Sequence, residues 1–77
     1  MAEPEVRTLR QARSARLLTI RALAERAGVS PHTVHRVERG TRPPRFGTVK
    51  RLSEALGMEP GAVAEFRAVL FGTEETR

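Results

Sequence analysis

Thr19-Ile-Arg-Ala-Leu-Ala-Glu-Arg-Ala-Gly-Val-Ser-Pro-His-Thr-Val-His-Arg-Val-Glu-Arg-Gly40 is the stretch that decides the fold. Thr19 and Ser30 each stand just before an apolar-periodic run, where a hydroxyl accepts a bond from an orphan backbone N–H. Pro31 opens the second run, where its fixed φ suits a helix and its missing N–H costs nothing. Gly28 closes the first run, where the chain must turn through positive φ. Ala24 is small enough for a second helix to cross closely. Leu23, Val34 and Val37 fall at spacings that bury both helices against a shared core. The signals predict two short helices, about Ile20–Ala27 and Pro31–Arg39, joined by a tight turn.

A chain of 77 residues and 8.6 kDa allows one small domain over 1–77, with a core about 6–71, and leaves no room for a separate catalytic domain. With no Trp, no Tyr and three Phe, that core must be thin and rich in Leu, Val and Ala. A stability of about 4–6 kcal/mol is expected. The absence of Cys removes disulfides and thiolate metal sites and is compatible with a cytoplasmic protein. No apolar run approaches a membrane span, and Met-Ala-Glu-Pro-Glu at the start is too acidic for a signal peptide.

The net charge of +5 is unevenly spread. Residues 1–45 hold ten Arg against four Glu, whereas residues 46–77 hold three Arg and one Lys against five Glu. The positive field therefore belongs to the half that carries the two-helix stretch, as a phosphate-binding surface requires. Arg outnumbers Lys thirteen to one, which suits bidentate contacts to phosphate or guanine, although a GC-rich genome gives the same bias.

There is no internal repeat, low-complexity segment or long linker. Three more helices complete a predicted set of five. The first runs from about Glu5 to Arg16, with Val6, Leu9 and Arg13 on one face and Arg7, Arg10 and Gln11 nearer solvent. Gly40-Thr-Arg-Pro-Pro-Arg45 is a loop, because its prolines forbid a helix. A fourth helix, about Phe46–Leu56, turns Val49, Leu52 and Leu56 inward and stops at Gly57. A fifth starts at Pro60-Gly61 and runs to about Phe71, ended by Gly72, with a frayed polar tail over 72–77. Nothing alternates with period two, so strands are not expected.

The central spacing is that of a helix-turn-helix, whose second helix enters the DNA major groove. The chain closely resembles the Cro/phage-repressor type of helix-turn-helix domain, the family of xenobiotic-response-element-like regulators, over roughly Leu9 to Phe66. The resemblance rests on Leu9-Arg10…Arg13, on Leu18-Thr19…Leu23-Ala24-Glu25-Arg26…Gly28-Val29-Ser30, and on Thr33-Val34…Arg36-Val37-Glu38-Arg39-Gly40. It continues through Pro43, Leu52, Ala55-Leu56-Gly57 and Met58. It implies an all-α fold, a compact five-helix repressor-like domain. Two positions depart from the family's pattern. Leu17 stands where the family commonly has Gly, which predicts a differently shaped turn after the first helix. Ile20 stands where it commonly has a phosphate-binding Gln, so only a backbone N–H is offered there and Arg21 becomes the substitute. An apolar Ile20 could instead extend a partner-binding surface.

His32, Thr33, His35, Arg36 and Arg39 project from the third helix opposite Val34 and Val37. The resemblance implies that Pro31, His32, Thr33 and Arg36 face bases. Arg36 can donate two bonds to guanine O6 and N7, His32 can donate to a purine, and Thr33 and Pro31 can meet a thymine methyl. An ordinary solvated charged face is the alternative. Arg10, Thr19, Arg21, His35, Arg39, Arg42 and Arg45 are the expected phosphate contacts, with Arg45 also able to reach a minor groove. For Arg42 and Arg45 the alternative is a pair of solvated loop arginines. The resemblance also implies a partly buried ion pair between Arg13 and Glu38 that orients the third helix. Two histidines three residues apart cannot complete a metal site without Cys, Asp or further His, so neither metal nor cofactor is expected.

The last helix carries more apolar surface than one thin core can use. Val63, Phe66 and Leu70 can face inward, leaving Val69 and Phe71 exposed, and Phe66, Val69 and Phe71 are the candidate contact with a second copy or a partner. These residues could also simply complete the core. In a two-fold dimer, the recognition helices would lie about 34 Å apart, one DNA turn. The leading expectation is therefore a sequence-specific, double-stranded-DNA-binding transcriptional regulator, a repressor and homodimer in the cytoplasm. The alternative is an antitoxin-like or regulatory subunit that binds a protein through its C-terminal helix. An enzyme is disfavoured: there is no Cys or Asp, no phosphate-cradling glycine loop, and both histidines lie on the DNA-facing side.

Overall fold

The computed structural model describes residues 6–71. Five α-helices follow one another: α1 (Leu9–Ala15), α2 (Ile20–Ala27), α3 (Pro31–Arg39), α4 (Phe46–Leu56) and α5 (Ala64–Phe71), with a 3-10 turn at Pro60–Ala62 before the last. Among the described residues there is no strand, and no helix is long and apolar enough to cross a membrane. The predicted Gly72 stop and the tail over 72–77 lie outside the described residues, as does Glu5.

The boundaries of α2 and α3, and the end of α4, follow from their caps. Thr19 Oγ1 accepts from the Ala22 N–H at 3.0 Å, and Ser30 Oγ accepts from the Thr33 N–H at 3.1 Å. Gly28, Gly40 and Gly57 close the three helices in the left-handed region. α2 packs against both α3 and α4, and α1 leans on α3. The core is Leu9, Ala12, Leu23, Ala24, Val34, Val37, Val49, Leu52, Leu56, Val63 and Phe66, so every α-helix contributes. It is as thin as the composition requires, with one fully buried aromatic ring at its centre.

The outer helices depart from the expected bounds. α1 begins at Leu9, not near Glu5, because Thr8 and Gln11 form a capping box that fixes the start. Val6 consequently lies outside the helix and is exposed. α5 begins at Ala64, not at Pro60, because Val63 adopts extended backbone and pairs with Arg7. The Arg7 N–H donates to the Ala62 carbonyl at 2.9 Å, and the Ala64 N–H donates to the Arg7 carbonyl at 2.7 Å. Glu65 then reaches back, its carboxylate accepting from the Leu9 N–H at 2.7 Å. The two ends of the described segment are thus clasped, and the clasp breaks the helix that periodicity alone would extend.

The turn after α1 corrects a further expectation. Leu17 does not reshape it. The Leu18 N–H donates to the Arg13 carbonyl and the Leu17 N–H to the Ser14 carbonyl, the same pair of closing bonds that Val29 and Gly28 make after α2. Leu17 holds φ 57, the one non-glycine residue at positive φ among those described. A side chain there costs about 1–2 kcal/mol, and at 92% exposure Leu17 recovers nothing by burial.

Candidate nucleic-acid interface

The amphipathic register of α3 sets the interface. Val34 and Val37 are buried, which turns His32, Thr33 and Arg36, three and four residues apart, toward one outer face. Pro31, His32, His35, Arg36 and Arg39 are exposed. Thr33 is half-buried, and its hydroxyl lies 2.9 Å from Ser30 Oγ, so it helps to lock the cap. The helix is fixed at both ends, by Ser30 and Pro31 at its start and by the Gly40 N–H bonded to the Arg36 and Val37 carbonyls at its end.

Arg36 also lines a polar cleft of about 360 Å³ with Thr33, Arg42, Pro44, Arg45 and Thr48. Three arginines line it, and no acidic residue does. The structure thereby brings the expected base-reading arginine together with the two loop arginines. Arg45 is the residue that caps α4, and it makes no side-chain cap bond, so the first N–H groups of that helix stay uncapped beside the same cleft. Their partial positive charge adds to the arginines' field. Pro44, Thr48 and this helix start were not singled out from sequence. A Pro-Pro-Arg run where Ser, Thr or Asp would normally cap was the available signal.

Arg10, Thr19 and Arg21 are exposed on α1 and at the start of α2. Thr19 spends one lone pair on its own helix cap. Ile20, in the position after it, is half-buried and packs against the core, which leaves little of it for an outside partner.

Behind the interface, Arg13 and Glu38 form a side-on bidentate pair, Nε to Oε2 at 2.6 Å and Nη2 to Oε1 at 3.2 Å, with side chains only 13% and 9% exposed. Arg13 Nη1 also donates to the Leu18 carbonyl at 2.9 Å. One guanidinium thus joins α1, the turn before α2 and the recognition helix. Two further arginines act likewise. Arg16 donates to the Leu56 carbonyl at 2.6 Å, tying α1 to the end of α4, and Arg51 donates to the Gly28 carbonyl at 3.1 Å, tying α4 to the central turn.

The C-terminal contact requires a correction. Phe66 is fully buried at the centre of the core and cannot touch a second molecule. Val69 is half-buried against the core rather than exposed, as is Leu70. Phe71 is exposed, with the Arg67 guanidinium 5.0 Å from its ring centre.

With the two capped helices and their basic outer face in place, the class is defined. The chain matches the helix-turn-helix domain family over residues 6–66 and belongs to it, consistent with the Cro/phage-repressor resemblance. Membership makes it a DNA-binding regulator. No curated protein and no solved structure matches the chain.

Proposed function

We propose that this protein is a sequence-specific repressor that occupies its operator by laying α3 in the major groove. Pro31, His32, Thr33 and Arg36 meet base edges, with Arg36 bidentate to a guanine. Arg42 and Arg45 hold the flanking phosphates, and Arg10, Thr19, Arg21, His35 and Arg39 supply outer backbone contacts. Phosphate contacts position the helix and base contacts specify the site. The observation that carries this reading is that Arg36, Arg42 and Arg45 line one cleft that no acidic residue lines. Like charges held together in the free protein are an electrostatic cost that a polyanion relieves. The protein acts by binding and not by catalysis. As a homodimer it would address two half-sites one DNA turn apart.

Selection of bound duplexes from a random pool tests the assignment. Arg36→Ala should flatten the preference at one base pair, with a loss of about 1–3 kcal/mol of discrimination. Arg45→Ala should weaken all sequences evenly. A preference profile unchanged by Arg36→Ala would show that α3 does not read bases in this orientation. The antitoxin-like alternative drew on the C-terminal helix, where the burial of Phe66 and partial burial of Val69 leave Phe71 as the main exposed apolar residue.

A further inference from the structure

A groove of about 660 Å³ runs between α4 and the 3-10 turn, and it shares no lining residue with the arginine cleft. One face of α4 forms its long wall, because Phe46, Val49, Lys50 and Ser53 are spaced at i, i+3, i+4 and i+7. Met58 and Leu70 add apolar surface from beyond α4. The volume is that of a small-molecule site, about 300–1,000 Å³, where apolar walls are combined with a few placed polar groups.

Three polar groups of this lining are unspent. Ser53 is 4% exposed, and its hydroxyl is the one buried side-chain polar atom without a hydrogen-bond partner among the described residues. Glu54 on α4 and Glu59 before the 3-10 turn are exposed at the rim, and neither carboxylate takes part in a hydrogen bond or ion pair. Glu38 and Glu65, by contrast, are both engaged. These groups select the ligand. Two free carboxylates disfavour an anion. A purely apolar body leaves the buried hydroxyl without a partner, and a bare metal ion makes no use of the apolar walls. A protonated amine on an apolar body uses the whole lining. The body rests on Val49, Met58 and Leu70, and the ammonium donates to the carboxylates and to Ser53 Oγ, which turns about χ1 to meet it. Phe46, 68% exposed at the edge, adds an aromatic ring beside the cation.

We propose that the groove beside α4 binds a lipophilic ammonium ligand, with Glu54 and Glu59 holding the charge and Ser53 fixing the nitrogen. Lys50, on the same face, is the like charge that limits affinity. The site makes no use of the arginines assigned to DNA, so it stands independently of the repressor reading.

The chain has no Trp or Tyr, so a naphthyl probe can be followed by its own fluorescence. 1-Naphthylmethylamine, 1-naphthalenemethanol and 1-naphthoate carry one body with a cationic, a neutral and an anionic head. Titrated into the full chain at about 150 mM salt, which screens the arginine cleft, the amine should bind about 10-fold more tightly than the alcohol, as a charge-assisted hydrogen bond allows. The naphthoate should bind most weakly. Ser53→Ala should weaken the amine about fivefold without lowering the melting temperature, since the hydroxyl has no partner in the free protein. The double variant Glu54→Gln/Glu59→Gln should bring the amine down to the alcohol's affinity and leave the alcohol's own affinity as it was. Lys50→Gln should tighten the amine. Amide shifts on adding the amine should centre on Ser53, Glu54 and Met58. Equal affinities of amine and alcohol, an amine affinity that Ser53→Ala and the double variant leave unchanged, or shifts centred elsewhere would each overturn the proposal. So would amine binding that weakens as protein concentration rises, the sign of a second copy in the groove.

Discussion

Arg13, Arg16 and Arg51 sit in the seams between helices, whereas Arg36, Arg42 and Arg45 gather around a cleft at the surface. The first three each find an acceptor in another part of the chain: Glu38 and the Leu18 carbonyl, the Leu56 carbonyl, and the Gly28 carbonyl. The second three share a cleft that offers them no carboxylate. The same side chain therefore does opposite work in the two regions. Where the fold supplies an acceptor, arginine is a tie; where it withholds one, the donors are left for an outside anion. Composition cannot separate these uses. Geometry does.

The sharpest way to break the comparison is at Arg13–Glu38. Removing one partner leaves a poorly hydrated charge, and for a pair this buried the cost should approach about 3 kcal/mol. Arg13→Ala should be the worse of the two, because it also strands the Leu18 carbonyl, whereas after Glu38→Ala the guanidinium keeps that acceptor. The double variant should lose much less than the two singles summed. Denaturant unfolding of all four proteins checks this, and simply additive losses would mean that the two residues do not support each other. Arg36→Ala, in the other region, should leave the unfolding midpoint almost unmoved while changing base preference.

Smaller effects are expected at the two turns that bracket α2. Gly28→Ala meets no closer atom than Arg51 Nη1 at 3.8 Å, so its cost should be purely that of φ +75, about 1–2 kcal/mol. Leu17→Gly should have the opposite sign and stabilise by about 1 kcal/mol, since it relieves a left-handed backbone and gives up no buried surface. Thermal melts of the two variants should move in opposite directions. A destabilised Leu17→Gly would mean that the exposed leucine has a contact the isolated fold does not reveal.

The bounds of α2, α3 and α4 were legible because their stop signals lie within a residue or two of the ends, in Thr19, Ser30-Pro31, Gly28, Gly40 and Gly57. α1 carried such a signal in Thr8 and Gln11, which the apolar periodicity reaching back to Val6 outweighed. The start of α5 was hidden for a different reason. It is set by Arg7, across most of the chain, through backbone bonds that any residue can make. In the site, helical periodicity identified which face of α3 points outward. It could not reveal that Arg16 and Arg51 find carbonyls, because every residue offers the same carbonyl and only the fold says which one is near. The burial of Phe66 was open to the same periodicity argument, since Val63 and Phe66 share a face.

The salt dependence of duplex binding tests the central claim most directly. If Arg36, Arg42 and Arg45 are donors kept for DNA, the logarithm of the binding constant should fall linearly and steeply with the logarithm of salt between about 50 and 200 mM. Arg42→Ala and Arg45→Ala should each lower that slope by about one, with stability unchanged. Arg51→Ala, which removes a tie, should leave the slope as it was. Absence of duplex binding at low salt, or a slope that Arg42→Ala and Arg45→Ala leave untouched, would contradict the account.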